Sequence, residues 1–451
     1  MRTSASHLRT KRRRLELTSI LTCVLAAAAL CAAAARAQEA DLTGSAGVFI
    51  EPKRATTQAR ERNAQARTAP RRARVKTATP SPNSRTNTPV ASNTSNTTNT
   101  PNTTNPKTPV KTAPPVTAEA LNARAGAAIE AGRYADAVEP LSQALKLKPD
   151  YADAHYNLGV ALGALGRQDE AIESFKRATA LDPNDSEAQF DLGEALYAKG
   201  RYAEAAEAFA HVTRVAQVNA EAFENLGDSY SALKRYADAA AAYRDAARLK
   251  TGDVAVLQKF GYALGRSKQW PEATDALKKA LALGPDDAES AVNLAYVYNN
   301  TGQYRLSIDM LKPFAAAHPE MTAVLFNLGT AYGHLAQKGA KNDKERKELF
   351  ASAVDTLNQV VRLKPDWPEA HNNLGVALGN LGRYKEAVAA HLEAARLYEE
   401  AGQRTPAYAG ALFNLAYAYR KGGDKKKALE TYEKLKAVNP GMAERLYPVV
   451  K

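Results

Sequence analysis

Residues 152–185 read ADAHYNLGVALGALGRQDEAIESFKRATALDPND, and this stretch decides the fold. Leu158, Leu162, Ile172 and Phe175 recur at helical spacing, the pattern of two amphipathic helices. Gly166-Arg167 supplies a turn between them, and Pro183 ends the second, because proline lacks an amide donor and clashes with the preceding turn. Small residues, Gly159 on the first helix and Ala171 and Ala178 on the second, sit where the two must touch.

The pattern repeats in steps of 34 residues. Leu158-Gly159, Ala171, Phe175 and Pro183 return as Leu192-Gly193, Ala205 and Phe209, then as Leu226-Gly227, Ala239 and Tyr243. Gly261 with Ala273, Leu294-Ala295, Leu328-Gly329 with Ala353 and Leu357, Leu374-Gly375 with Ala387, and Leu415-Ala416 with Ala428 and Tyr432 continue the series. An atypical first copy has Ala125, Ala137 and Leu141. The motif resembles the tetratricopeptide repeat, whose 34-residue pattern places L-G on one helix, A-x3-F on the next and a closing proline. The resemblance covers nine copies, beginning near 118, 152, 186, 220, 254, 288, 322, 368 and 409. It implies an all-α, right-handed superhelical solenoid of helix-turn-helix repeats, with the first helix of each pair lining the concave side. One pair cannot bury its apolar face alone, so each stacks on the next.

The array is expected to span 118–442, with a capping segment over 443–451. Two inserts interrupt the register. Lys338 to Leu349 adds about twelve residues to the seventh copy. Its pairs Lys341/Glu345, Asp343/Lys347 and Lys344/Glu348 suit a solvent-exposed helix face. Gly402 to Tyr408 precedes the ninth copy.

Ahead of the repeats lie two other regions. Residues 1–37 carry Lys11-Arg12-Arg13-Arg14, an alanine-rich apolar run and Ala35-Arg36-Ala37, the layout of an export signal or, uncleaved, of a membrane anchor. Both readings export the repeats, to a periplasmic, secreted or membrane-anchored location. Residues 38–117 are basic, then rich in Thr, Asn and Pro, a composition that predicts a disordered linker. The net charge of +13 belongs there: residues 1–117 hold 19 Lys+Arg against 5 Asp+Glu, leaving 42 against 43 in the remainder. A neutral array gives no ground for nucleic-acid binding by the repeats.

Cys23 and Cys31 both lie in the apolar leader, so cleavage would leave no thiol for zinc or redox chemistry. Phosphate loops, nucleophile elbows and zinc-protease motifs do not occur. Neither a cofactor nor a metal is expected, and the chain reads as a binding module rather than an enzyme.

The expected site is the concave groove. Two residues before the Gly/Ala position stand Asn157, Asn225, Asn293, Asn327, Asn373 and Asn414, interrupted by Asp191 and Lys259. An asparagine offers a donor and an acceptor. Either these amides hold the backbone of an extended peptide, in a ladder similar to that of the repeat arm of the N-acetylglucosamine-attaching enzyme of intracellular proteins, or they bond locally. Tyr156, Phe190, Tyr262, Tyr296, Phe326, Phe413 and Tyr417 are aromatic candidates, and Glu194, Glu221, Glu224 and Asp228 add acidity. An acidic, aromatic groove favours a protein or peptide segment that is basic or apolar. The alternative function assigns binding to the basic residues of the linker, toward an anionic envelope surface or nucleic acid, with the repeats as spacer.

Overall fold

The computed structural model describes residues 116–451. The leader and nearly all of the linker lie outside the described residues. Nineteen α-helices, and no strands, are found among the described residues, so the all-α expectation holds. The described chain divides between Thr251 and Gly252 into two compact units.

The first unit contains four helix pairs: Ala118–Glu130 (α1) with Tyr134–Leu147 (α2), Ala152–Ala164 (α3) with Gln168–Leu181 (α4), Ser186–Ala198 (α5) with Tyr202–Val215 (α6), and Ala220–Ala232 (α7) with Tyr236–Leu249 (α8). The second unit has Val254–Arg266 (α9) with Trp270–Leu283 (α10), Ala288–Asn300 (α11) with Tyr304–Ala317 (α12), and Thr322–Lys338 (α13) with Asp343–Leu363 (α14). It continues with Pro368–Asn380 (α15) and Tyr384–Glu400 (α16), Pro406–Lys421 (α17) and Lys425–Val438 (α18), and closes on Pro440–Val450 (α19).

Local chemistry sets these boundaries. The Asp185 carboxylate caps α5 by accepting from the Glu187 and Ala188 amides, both at 3.1 Å, and Asn219 caps α7 through the Ala222 amide at 3.0 Å. Between the helices of a pair the chain must pass through the left-handed region. Gly166 does so at φ 77° without cost. At the equivalent turns of the fourth and fifth repeats lysines take its place, Lys234 at φ 58° and Lys268 at φ 62°, a conformation that costs an L-residue roughly 1–2 kcal/mol.

Within a pair, glycine permits close approach. A Cβ on Gly159 would stand 2.6 Å from two carbons of the Phe175 ring, and one on Gly227 2.5 Å from the Tyr243 ring. The aromatic therefore lies flat on the first helix, as the L-G and A-x3-F motifs require. Phe209, Phe326, Phe350 and Leu277 are among the fully buried side chains; each such burial contributes about 1.5–3 kcal/mol. Ala154 and Ala171 are both fully buried, the first in the cluster of the first helix pair and the second in the cluster that continues into the third.

The inserts are absorbed as helix. Lys338 to Leu349 lengthens α13 and α14 around a turn at Gly339, with Asn342 capping α14 through the Glu345 amide at 2.9 Å. The ion pairs differ from the expected set. Lys344 meets Glu348 at 4.0 Å, but Asp343 pairs with Arg346 at 2.8 Å and Glu345 with Arg305 of α12 at 2.6 Å. Lys341 meets Glu345 through its backbone amide instead, while Arg305 of α12 supplies the ion pair. Helix α17 starts at Pro406, inside the second insert, capped by Thr405. The terminal cap is a whole helix from Pro440 that buries Met442, Leu446 and Val450.

Candidate functional site

Within each unit, first helices of successive repeats approach one another, α1 with α3 and α5 with α7, then α9 through α19 along the odd-numbered series. The second helices of neighbouring repeats do not approach to the same extent. The odd-numbered helices therefore form the inner, more tightly curved face of each unit. This face carries the expected site residues.

In the first unit the asparagines lie low on that face. Asn157 is 2 % exposed and Asn225 6 %. The Asn157 amide donates to Oδ1 of Asn122 on α1 at 2.8 Å, and Asn122 donates to the Tyr151 hydroxyl at 3.3 Å. Asn225 reaches Glu194 on α5 at 3.5 Å. Where Asp191 replaces asparagine, the bond reverses: the Tyr156 hydroxyl donates to Asp191 Oδ2 at 2.9 Å. The recurrent polar position thus bridges one first helix to the next.

The second unit follows the same rule with variations. Asn373 donates to Thr330 Oγ1 at 3.1 Å, and Asn414 to Asn372 Oδ1 at 3.1 Å. Asn327, fully buried, donates back to the Ala323 carbonyl at 3.0 Å, while its own carbonyl receives the Asn299 amide at 3.3 Å. Asn293 is fully buried, and Lys259 is buried at 6 % exposure. His391 stands where other repeats have Phe or Tyr, its ring over Gly375 and its Nδ1 donating to Asn372 Oδ1 at 3.0 Å. Burial pushes His391 down to about 3 and His334, stacked on Tyr304 at 5.4 Å, down to about 4.

The aromatics divide. Tyr156, Tyr262 and Phe326 are buried, Phe326 stacking on Trp367 at 4.4 Å, and belong to the core. Phe190 packs edge-on against Phe209 at 5.5 Å and stays half-buried, as do Tyr296, against Trp270 at 6.4 Å, and Phe413. Tyr417 is exposed.

Acidity concentrates on the inner face of the first unit. Glu187 is exposed, and Asp191, Glu194, Glu221 and Glu224 are half-buried on α5 and α7. Asp228 is buried and accepts from the Tyr243 hydroxyl at 2.8 Å. Lys250 reaches Glu224 at 2.6 Å. Burial pushes the Asp191 carboxyl up to about 7; the Tyr156 hydroxyl opposes this, and the Glu194 and Glu187 carboxylates reinforce it. Sequence reasoning missed Asn122, Thr330 and Asn372, the partners of the bridging amides. Asn372-Asn373 was a visible signal, since two adjacent amides place one on each side of the helix contact.

Among the described residues no three metal-ligating side chains converge, and no helix is long and apolar enough to cross a membrane. Tetratricopeptide-repeat family patterns match residues 112–152, 122–186, 162–212 and 190–254, and again 368–438. Similar solved structures include MamA, 25% identical over 38% of this chain and 94% of that one, with a TM-score of 0.35. YrrB, described as a tetratricopeptide protein with an unusual peptide-binding site, is 20% identical over 41% of this chain and 95% of its own, at 0.38. A thermophilic tetratricopeptide protein of Thermus thermophilus is 21% identical over 43% and 97%, at 0.36. No match was found among curated proteins.

Proposed function

Because this chain is a tetratricopeptide-repeat protein, we propose that it is a non-catalytic scaffold that binds a protein or peptide segment on the inner face of its repeats. The observation that carries this reading is the division of labour on that face. Asn157, Asn373 and Asn414 at the recurrent position bond to the preceding repeat, so the surface they support is held in fixed register. Above them the first unit presents Phe190 and the carboxylates of Glu187, Glu194, Glu221 and Glu224. Such a surface suits an extended segment with basic and apolar side chains, attracted by charge and anchored by aromatic contact.

The reading includes export of the array to the cell envelope, which the basic n-region, apolar run and Ala35-Arg36-Ala37 support. Fusing residues 1–60 to a reporter active only outside the cytoplasm tests this part, and a silent fusion would contradict it. Binding is tested with a panel of labelled ten-residue peptides of basic–apolar, acidic–apolar and neutral composition, titrated into the full chain. Basic–apolar members should bind most tightly and weaken as salt rises. Equal binding of the acidic members would contradict the reading.

A further inference from the structure

The sixth helix pair, α11 with α12, departs from its neighbours at the points that hold a pair closed. Ser290 and Ser307 are both fully buried. In the flanking repeats the same two positions hold Val256 with Ala273 and Val324 with Ala353, all fully buried. The position of Ser307 is alanine in every other copy of the repeat. Among the described residues neither serine hydroxyl has a hydrogen-bond partner, and Oδ1 of Asn299 on α11 has none either. A hydroxyl buried without a partner costs its desolvation and returns nothing. Two such groups in one helix pair break the rule that buried polar atoms are paired.

Other features of the pair point the same way. Asp253 caps α9 through the Val256 amide at 3.2 Å. Asp287, at the equivalent place before α11, makes no cap bond and accepts from Gln258 at 3.5 Å. Pro313 lies inside α12 and removes the bond to the carbonyl four residues back. Helix α12 buries only Ser307, Ile308 and Leu311. Phe314 stays half-buried where α10 and α14 bury Ala280 and Val360. Arg305 ties α12 to Glu345 of α14, but the arginine side chain is 51% exposed, and such a pair adds little.

We infer that α11 and α12 are the built-in weak point of the second unit: they open together, locally, while the helix pairs on either side stay folded. Each repeat is held by its nearest neighbours, so the pair with the weakest contacts of its own opens at least cost. Opening exposes Val292, Ile308 and Leu311 of the core and interrupts the inner face of the second unit between α9 and α13. This property is independent of what the groove binds.

Native-state hydrogen exchange of the full chain, followed in urea below the unfolding transition, tests the inference on the wild type and on Ser290→Ala/Ser307→Ala. Alanine removes one oxygen atom at each site and adds no volume. In the wild type, mid-helix amides of α11 and α12 should exchange at least about ten-fold faster than those of α9, α10, α13 and α14. Their exchange should depend little on urea, because a local opening exposes little surface. The double variant should slow exchange from α11 and α12 by about ten-fold or more and leave α13 and α14 nearly unchanged. Protection of α11 and α12 equal to that of their neighbours overturns the inference, as does a urea dependence as steep as that of global unfolding. Unchanged exchange in the double variant overturns it too, since the hydroxyls then cost nothing. Faster exchange in that variant also overturns it, because a bridging water would then be satisfying the hydroxyls.

Discussion

Two glycines on helix α3 respond oppositely to alanine. At Gly159 the new Cβ would lie 2.6 Å from Cδ1 and Cε1 of Phe175. Phe175 is 5 % exposed and touches Tyr156, with ring centroids 5.9 Å apart, so it has no free direction in which to retreat. Overpacking of this kind costs about 1–3 kcal/mol. Alanine's better helix propensity returns about 1 kcal/mol, for a net loss of about 1 kcal/mol. At Gly163 the added Cβ would find only the Ala171 Cβ, at 3.8 Å, so the propensity gain is uncompensated and the variant should be stabilised by about 0.5–1 kcal/mol. The two variants thus differ by about 2 kcal/mol although both place alanine on one helix. Coupling in a repeat array is between nearest neighbours, so hydrogen exchange of α3, α4 and the adjoining helices is the direct assay, with thermal unfolding as a global check. If Gly159→Ala protects α3 as well as Gly163→Ala does, the helix pairing described above is wrong.

Other consequences are equally open to measurement. Lys234→Gly and Lys268→Gly should each raise stability by about 1 kcal/mol by relieving left-handed backbone; a drop in both, in urea titrations, would refute the strain. Asn157→Ala should lower the first unit's stability by about 1–3 kcal/mol through the lost bond to Asn122 while leaving peptide affinity unchanged; the opposite result, normal melting with lost binding, would make this amide a ligand contact. The two units should respond oppositely to pH. Asp191 is raised in the folded state, so the folded unit binds the extra proton and the first unit weakens as pH rises from about 4 to about 7. His391 is depressed, so its stability contribution is present near neutrality and is lost as pH falls from about 6.5 toward 3. Exchange protection of α5 and α16 across this range checks both signs, and Asp191→Asn and His391→Phe should each flatten the corresponding slope.

The helices, their pairing and the glycine beneath each aromatic were legible in residues 152–185 because they are local facts of period 34. The fate of the asparagines was not. Asn157 finds its partner 35 residues away, at Asn122, and whether a recurrent amide faces a ligand or the preceding helix depends on how first helices sit against each other. The aromatics divided for the same reason: Phe326 stacks on Trp367, just ahead of α15, whereas Phe190, at the same repeat position, stays half-buried. In the long seventh pair, spacing of four identified plausible ion pairs, but Arg305 of another helix claimed Glu345. Lys234 and Lys268 hid a left-handed turn that glycine marks elsewhere, because lysine carries no such signal.

The central claim is that the inner face of the first unit binds through its carboxylates. The decisive measurement is fluorescence anisotropy with a basic–apolar peptide from the panel, comparing the full chain with Glu194→Gln/Glu221→Gln/Glu224→Gln. Glutamine keeps the shape of glutamate and one acceptor oxygen, puts an amide donor in place of the other, and removes the charge. The account predicts at least a ten-fold loss of affinity and a shallower salt dependence, with exchange protection of α5 and α7 retained. Undiminished affinity with an unchanged salt slope would contradict it.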